Sequence, residues 1–178
     1  EDKLFLFCPE RHVRAINART GEEIWTNSDE SLVTLIEEPG KGLRSTPGFR
    51  TQCIAVATPE ALIIQGQTRM NVIALSTEDG SLLWTKKKIT NNPNAIYVDG
   101  NVIIGVGEGA SHVVLEPTSG KVLADLKFKK TACTRLTASS DSFFVRGEGT
   151  LRFDRYFRKV LIDGAQRPAC NDGALPAN

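Results

Sequence analysis

The stretch Ala15–Thr26, AINARTGEEIWT, returns as ALSTEDGSLLWT over Ala74–Thr85. A chain that repeats a turn and a tryptophan at one spacing repeats a structural unit, and that limits the fold more tightly than composition does. A third copy of the turn follows. Gly21, Gly80 and Gly120 close the segments NARTG, STEDG and EPTSG. Such a hairpin turn needs a residue tolerant of positive φ, which Gly supplies, while the preceding Thr, Asp or Ser bonds the local backbone. The glycines recur at intervals of 59 and 40 residues, and the longer interval holds an insertion over Ser28–Arg50. A unit of about 40 residues with four strands has the size of a propeller blade.

Short apolar runs rich in Val, Ile, Leu and Phe fill the rest, bounded by Gly, Asp, Asn, Pro or Ser, as strands are. No segment holds an i, i+3, i+4, i+7 apolar stripe for three turns between caps, so little helix is expected. Four strands per unit, A to D from the centre outward, place blades at 51–90, 91–130 and 131–165. The first unit, 1–27, has strands B to D only, residues 28–50 form an insertion loop, and 166–178 reads as an orphan A strand. The fold class predicted is all-β: a propeller segment of about four four-stranded antiparallel blades, possible as half of an eight-bladed ring. The orphan strand closes the first blade within the chain or crosses to a second copy, giving a homodimer by strand exchange.

Lys plus Arg total 22 against 21 Asp plus Glu, so no overall field points to nucleic acid or an anionic membrane. No apolar run approaches the roughly 18 residues of a membrane span. The four cysteines, Cys8, Cys53, Cys133 and Cys170, form no C-x-x-C pair, which argues against a zinc ribbon, a thioredoxin motif or covalent haem.

The A-x-D-x-x-T-G-x-x-x-W pattern, carried here by Ala15 to Gly21 with Trp25 and by Ala74 to Gly80 with Trp84, resembles the pyrroloquinoline quinone (PQQ) repeat β-propeller family. Asn17 and Ser76 stand at the motif's Asp, and Ala124 stands at the third Trp. In that family the Trp packs between adjacent blades, so the resemblance implies that Gly21, Trp25, Gly80 and Trp84 are structural docking residues. It also implies a periplasmic or secreted location. Its enzymes hold PQQ over calcium with Glu, Asn and Asp beneath adjacent cysteines. This chain lacks adjacent cysteines, and its two tryptophans belong to the motif, so neither PQQ nor calcium is expected for this chain alone.

Cys53, Cys133 and Cys170 each sit at the expected start of an A strand. They read either as a thiolate metal or redox site, with Asn171 and Asp172 near, or as small residues suited to a narrow channel. His12 and His112 are expected in exposed turns, and GVGEGAS (105–111) in a hairpin connection instead of a phosphate loop. Topology gathers Arg11, Arg44, Arg50, Arg69, Lys87, Lys130 and Arg167 on the face of the B–C and D–A connections. Glu22, Glu23, Glu60, Glu78, Asp79, Asp99 and Asp141 fall on the opposite one. The function expected is a non-enzymatic binding or scaffold domain whose basic, insertion-bearing face receives a protein domain or small anionic ligand. Part of a PQQ-dependent oxidoreductase, or an accessory segment of a multidomain enzyme such as a methyltransferase fusion, are the alternatives.

Overall fold

Antiparallel pairing of neighbouring runs builds four sheets, each with its strands in chain order. The computed structural model describes residues 2–37, 54–66, 71–87, 89, 95–105, 111–130, 135–166 and 168. The first sheet has three strands, β1 (Lys3–Cys8), β2 (His12–Asn17) and β3 (Glu23–Asn27). A helix, α1 (Glu30–Glu37), follows. The second sheet comprises β4 (Ile54–Ala57), β5 (Ala61–Gln65), β6 (Val72–Ser76) and β7 (Leu82–Lys86). The third holds β8 (Ile96–Val98), β9 (Asn101–Gly105), β10 (Ser111–Leu115) and β11 (Val122–Lys129). The fourth holds β12 (Thr137–Ala138), β13 (Ser142–Arg146), β14 (Thr150–Asp154) and β15 (Lys159–Asp163).

Burial explains the composition of each strand. The middle strands β5 (ALIIQ) and β6 (VIALS) are apolar on both faces and buried on both, as strands covered on each side are. Their outer neighbour β7 is largely exposed. One extra residue in the outermost strand shifts its register against the neighbouring strand, between Ala15 and Ile16 in the first sheet and between Ala74 and Leu75 in the second. A bulge of this kind bends the strand and re-aims the side chain beyond it.

The chain divides into two compact units, Glu1–Lys88 with Pro117–Gly120, and Ile89–Glu116 with Lys121–Asn178. In the first, Val13, Ala15 and Trp25 of one sheet pack with Leu62, Ile64, Ile73 and Leu75 of the next. In the second, Phe128 meets Phe143 and Phe153 among Ile103, Val145 and Leu151.

Part of the expected insertion loop, 28–50, is α1. The helix is short of the three turns that a sequence search asks for, and tertiary burial holds it instead. Leu32, Val33 and Ile36 are buried, and Leu32 and Ile36 join the first core. Asp29 caps it, its Oδ1 accepting the Ser31 amide at 2.8 Å, and hydrogen bonds from Ser31 hold this carboxylate below its ordinary value. Asn71 donates to the Leu35 carbonyl at 3.3 Å at the other end.

Candidate functional site: the turns leading into the outermost strands

The same turn forms in all four sheets, and a polar residue four positions before its left-handed residue fastens three of them in one way. Asn17 Oδ1 accepts the amides of Arg19 and Thr20 at 2.8 and 3.1 Å. Ser76 Oγ accepts those of Glu78 and Asp79 at 3.2 and 3.4 Å. Asp154 Oδ1 accepts those of Tyr156 and Phe157, both at 2.9 Å. The left-handed position is Gly21, Gly80 and Gly120 at φ 76°, 73° and 67°, and then Arg158 at φ 52°. The fourth turn has no glycine and keeps the geometry with an arginine in its place.

What packs on each turn explains the exchange. The Trp25 indole donates to the Thr77 carbonyl at 3.1 Å, and a Cβ on Gly80 would meet its Cδ2 at 2.7 Å. The Trp84 indole repeats this with the Pro117 carbonyl at 2.8 Å, where a Cβ on Gly120 would meet Cδ2 at 2.7 Å. Both rings therefore lie on bare glycine backbone. In the second unit Ala124 pairs with Val114 as Trp25 pairs with Ala15. No ring crosses from Ala124, and a side chain at 158 is tolerated. Arg158 instead reaches back to the Asp125 carbonyl at 3.4 Å.

The fourth turn also differs in what it shows. Tyr156 is 88% exposed and Phe157 80% exposed, with ring centroids 6.2 Å apart. Arg155 pairs with Asp99, stands 5.0 Å from the Phe143 ring centroid, and donates to the Ser140 carbonyl at 3.0 Å. Arg152 binds Asp141 at 3.0 Å and the Ser142 hydroxyl at 2.7 Å. Ser139 and Arg152 keep the Asp141 carboxylate below its ordinary value, the Ser139 hydrogen bond most. These arginines sit at the end of the sheet expected to be acidic. Their spacing of three in TLRFDRYFRK (150–159) was the available signal.

Of the expected basic set, Arg11 and Lys87 are exposed, whereas Lys130 is buried at 6% exposure. Arg44, Arg50, Arg69 and Arg167 lie outside the described residues, as do Cys53, Cys133, Cys170, Asn171 and Asp172. Cys8, half-buried, carries a free thiol. Among the described residues no group of three His, Cys, Asp or Glu is placed to hold a metal ion, and no helix is long and apolar enough to cross a membrane.

His112, expected in an exposed turn, is wholly buried. It is the second residue of β10, and its ring stacks on Phe128 of the neighbouring β11 at 4.2 Å and 9°. Nδ1 lies 3.0 Å from the Phe128 carbonyl, so Nδ1 carries the proton and donates, while the buried Nε2 meets no hydrogen-bond partner among the described residues. Burial pulls its pKa down to about 4, with the Lys130 charge acting the same way against the favourable bond to Phe128.

Comparison with solved structures places the fold among propellers. BamB from Moraxella catarrhalis is 14% identical, with a TM-score of 0.57 over 90% of this chain and 44% of that one. The computationally designed Ika8 protein is 15% identical, with a TM-score of 0.59 over 96% of this chain and 49% of that one. Saccharomyces cerevisiae Sqt1 is 11% identical, with a TM-score of 0.58 over 90% of this chain and 43% of that one. The chain thus spans less than half the length of each of these proteins. No curated protein sequence matches it. The model of the PQQ-repeat family described as outer membrane protein assembly factor BamB matches residues 9–124, about two thirds of the chain, and the chain, a β-propeller segment, belongs to that family.

Proposed function

We propose that the chain is a non-catalytic binding module, a propeller segment whose fourth blade presents Tyr156 and Phe157 to a protein partner. The carrying observation is the near-complete exposure of two adjacent aromatic rings on a turn where both of their amides are fastened to Asp154. Exposed single apolar residues are ordinary, but paired aromatics flanked by arginines have the composition of interface hot spots. The Asp154 cap lowers the ordering cost of binding because the turn backbone is set beforehand. Arg158 and Lys159 beside the rings favour a partner with an acidic rim around an apolar pocket.

In this reading Trp25 and Trp84, lying on Gly80 and Gly120, tie blade to blade and act as framework. Gly21 serves its own turn. BamB is described as an outer membrane protein assembly factor, a role that rests on contact with other proteins, and the proposed module fits a role of that kind.

A photo-crosslinking residue at position 157, with a second at the exposed Glu78 as control, tests the reading in the native cell. The expected result is a discrete protein adduct from position 157, weakened when Tyr156→Ala lowers affinity by about 30-fold. Equal, diffuse labelling from both positions would overturn it.

A further inference from the structure

The second unit holds a cavity of about 200 Å³. Its walls are Ile103, Val114 and Leu126 on the third sheet and Phe143 and Phe153 on the fourth. Its mouth carries Asp99, Arg155 and Arg158. Two exchanges in the repeat account for the space. Val114 and Leu126 flank Ala124 on the sheet face where the first and second sheets carry Trp25 and Trp84. The residue facing that position on the following turn is Arg158, where Gly80 and Gly120 receive an indole. Phe143 and Phe153, which stand at the register positions of Leu62 and Leu75, refill part of the lost volume and leave the rest open.

From this geometry we infer that the cavity is a binding site for a small planar aromatic carboxylate of one or two fused rings. The volume exceeds the roughly 150 Å³ that accommodates benzene in an apolar void and falls below the roughly 300 Å³ of sites for drug-sized ligands. Two phenyl rings 6.2 Å apart at 13° supply flat aromatic surface for an entering ring. Aliphatic groups form the opposing wall. The mouth sets the charge. Arg155 is taken by Asp99 and the Ser140 carbonyl, but Arg158 binds only a backbone carbonyl and pairs with no carboxylate among the described residues. Its planar fork suits a ligand carboxylate held at the rim while the ring enters.

The inference goes beyond the partner-binding role, because the ligand ring enters between the third and fourth sheets, whereas Tyr156 and Phe157 stand exposed on the turn, and Arg158 borders both. Methyl NMR on the full chain is the test, with indole-3-acetate as the acid and indole as its neutral counterpart. Indole-3-acetate is expected to shift the Val114 and Leu126 methyls with a dissociation constant on the order of 1 mM or tighter. Indole should bind roughly tenfold more weakly, and Arg158→Gln should bring the acid to the level of indole, since a charge-assisted hydrogen bond is lost. The double variant Ala124→Trp, Arg158→Gly rebuilds the repeat motif and should abolish indole binding. Arg158 is exposed, so its single variant keeps the fold should the double variant fail. Unshifted Val114 and Leu126 methyls, equal affinity for acid and neutral ring, or undiminished indole binding to a folded double variant each overturn the inference. So does tighter binding of N-acetyltryptophanamide than of the acid, which would make the cavity a receptor for a partner's side chain.

Discussion

His112 shows how far one side chain departs from its local sequence. Stacked on Phe128 and sealed from water, it is held neutral, with its pKa down from near 6.5 to about 4. Between those values the unfolded chain binds a proton that the folded chain refuses. Stability from this group is therefore complete above about 6.5 and falls as pH drops toward 4, by up to about 3 kcal/mol. Asp29, Asp79, Asp125 and Asp141 are all held below their ordinary 3.8, so their contributions are lost only below the window from 4.5 to 6.5 in which His112 acts. Urea midpoints at pH 7.5 and 4.5 should differ clearly in the native chain. His112→Phe keeps the stack, removes the titration and should flatten the difference; an unchanged slope would place the titrating group elsewhere.

Turns of identical backbone shape carry unequal burdens. Gly21 and Gly80 share a left-handed φ, yet nothing lies within 4 Å of a Cβ on Gly21, whereas one on Gly80 runs into the Trp25 ring. That ring is fixed by its bond to Thr77 and by Phe5 at 5.9 Å, so it has little room to give. Gly21→Ala should cost about 1 kcal/mol of left-handed strain, and Gly80→Ala at least about 2 kcal/mol more from overpacking. Equal losses in thermal unfolding would show that the indole yields freely. Helix α1 makes the complementary point: its eight residues would not hold alone, and Leu32 and Ile36 are helical because the first core receives them.

At the scale of the molecule, the first sheet is one strand short. The edge of β1 is covered by no strand among the described residues, while β4, β8 and β12 cover the matching edge of the other sheets. Beside that edge lies a cavity of about 390 Å³ lined by Lys3, Phe5, Ala57, Thr58, Pro59 and Thr77. A long edge with Phe5 and Phe7 behind it invites pairing. Residues 166–178 are the expected occupant, mostly beyond the described residues, and exchange of that segment between two copies would make a dimer. Light scattering of the intact chain should then give twice the monomer mass, and removal of 169–178 should cause aggregation. A monomer that persists at high concentration would rule out exchange.

Local chemistry determined much of this protein. Alternating and continuous apolar runs fix strands within a few residues, and the Thr-Gly, Asp-Gly and Ser-Gly turns fix the hairpins, because strand period and left-handed turns are properties of neighbouring residues. The paired motifs at Trp25 and Trp84 sufficed to name the fold and its family. Tertiary packing decided what no neighbour could: that His112 and Lys130 are covered, that part of the insertion is helical, and that Arg152, Arg155 and Arg158 gather at a turn end expected to be acidic. Each depends on which surface arrives from a distant part of the chain. The cavity depends on two such arrivals at once, the missing ring at Ala124 and the arginine that stands where that ring would have rested.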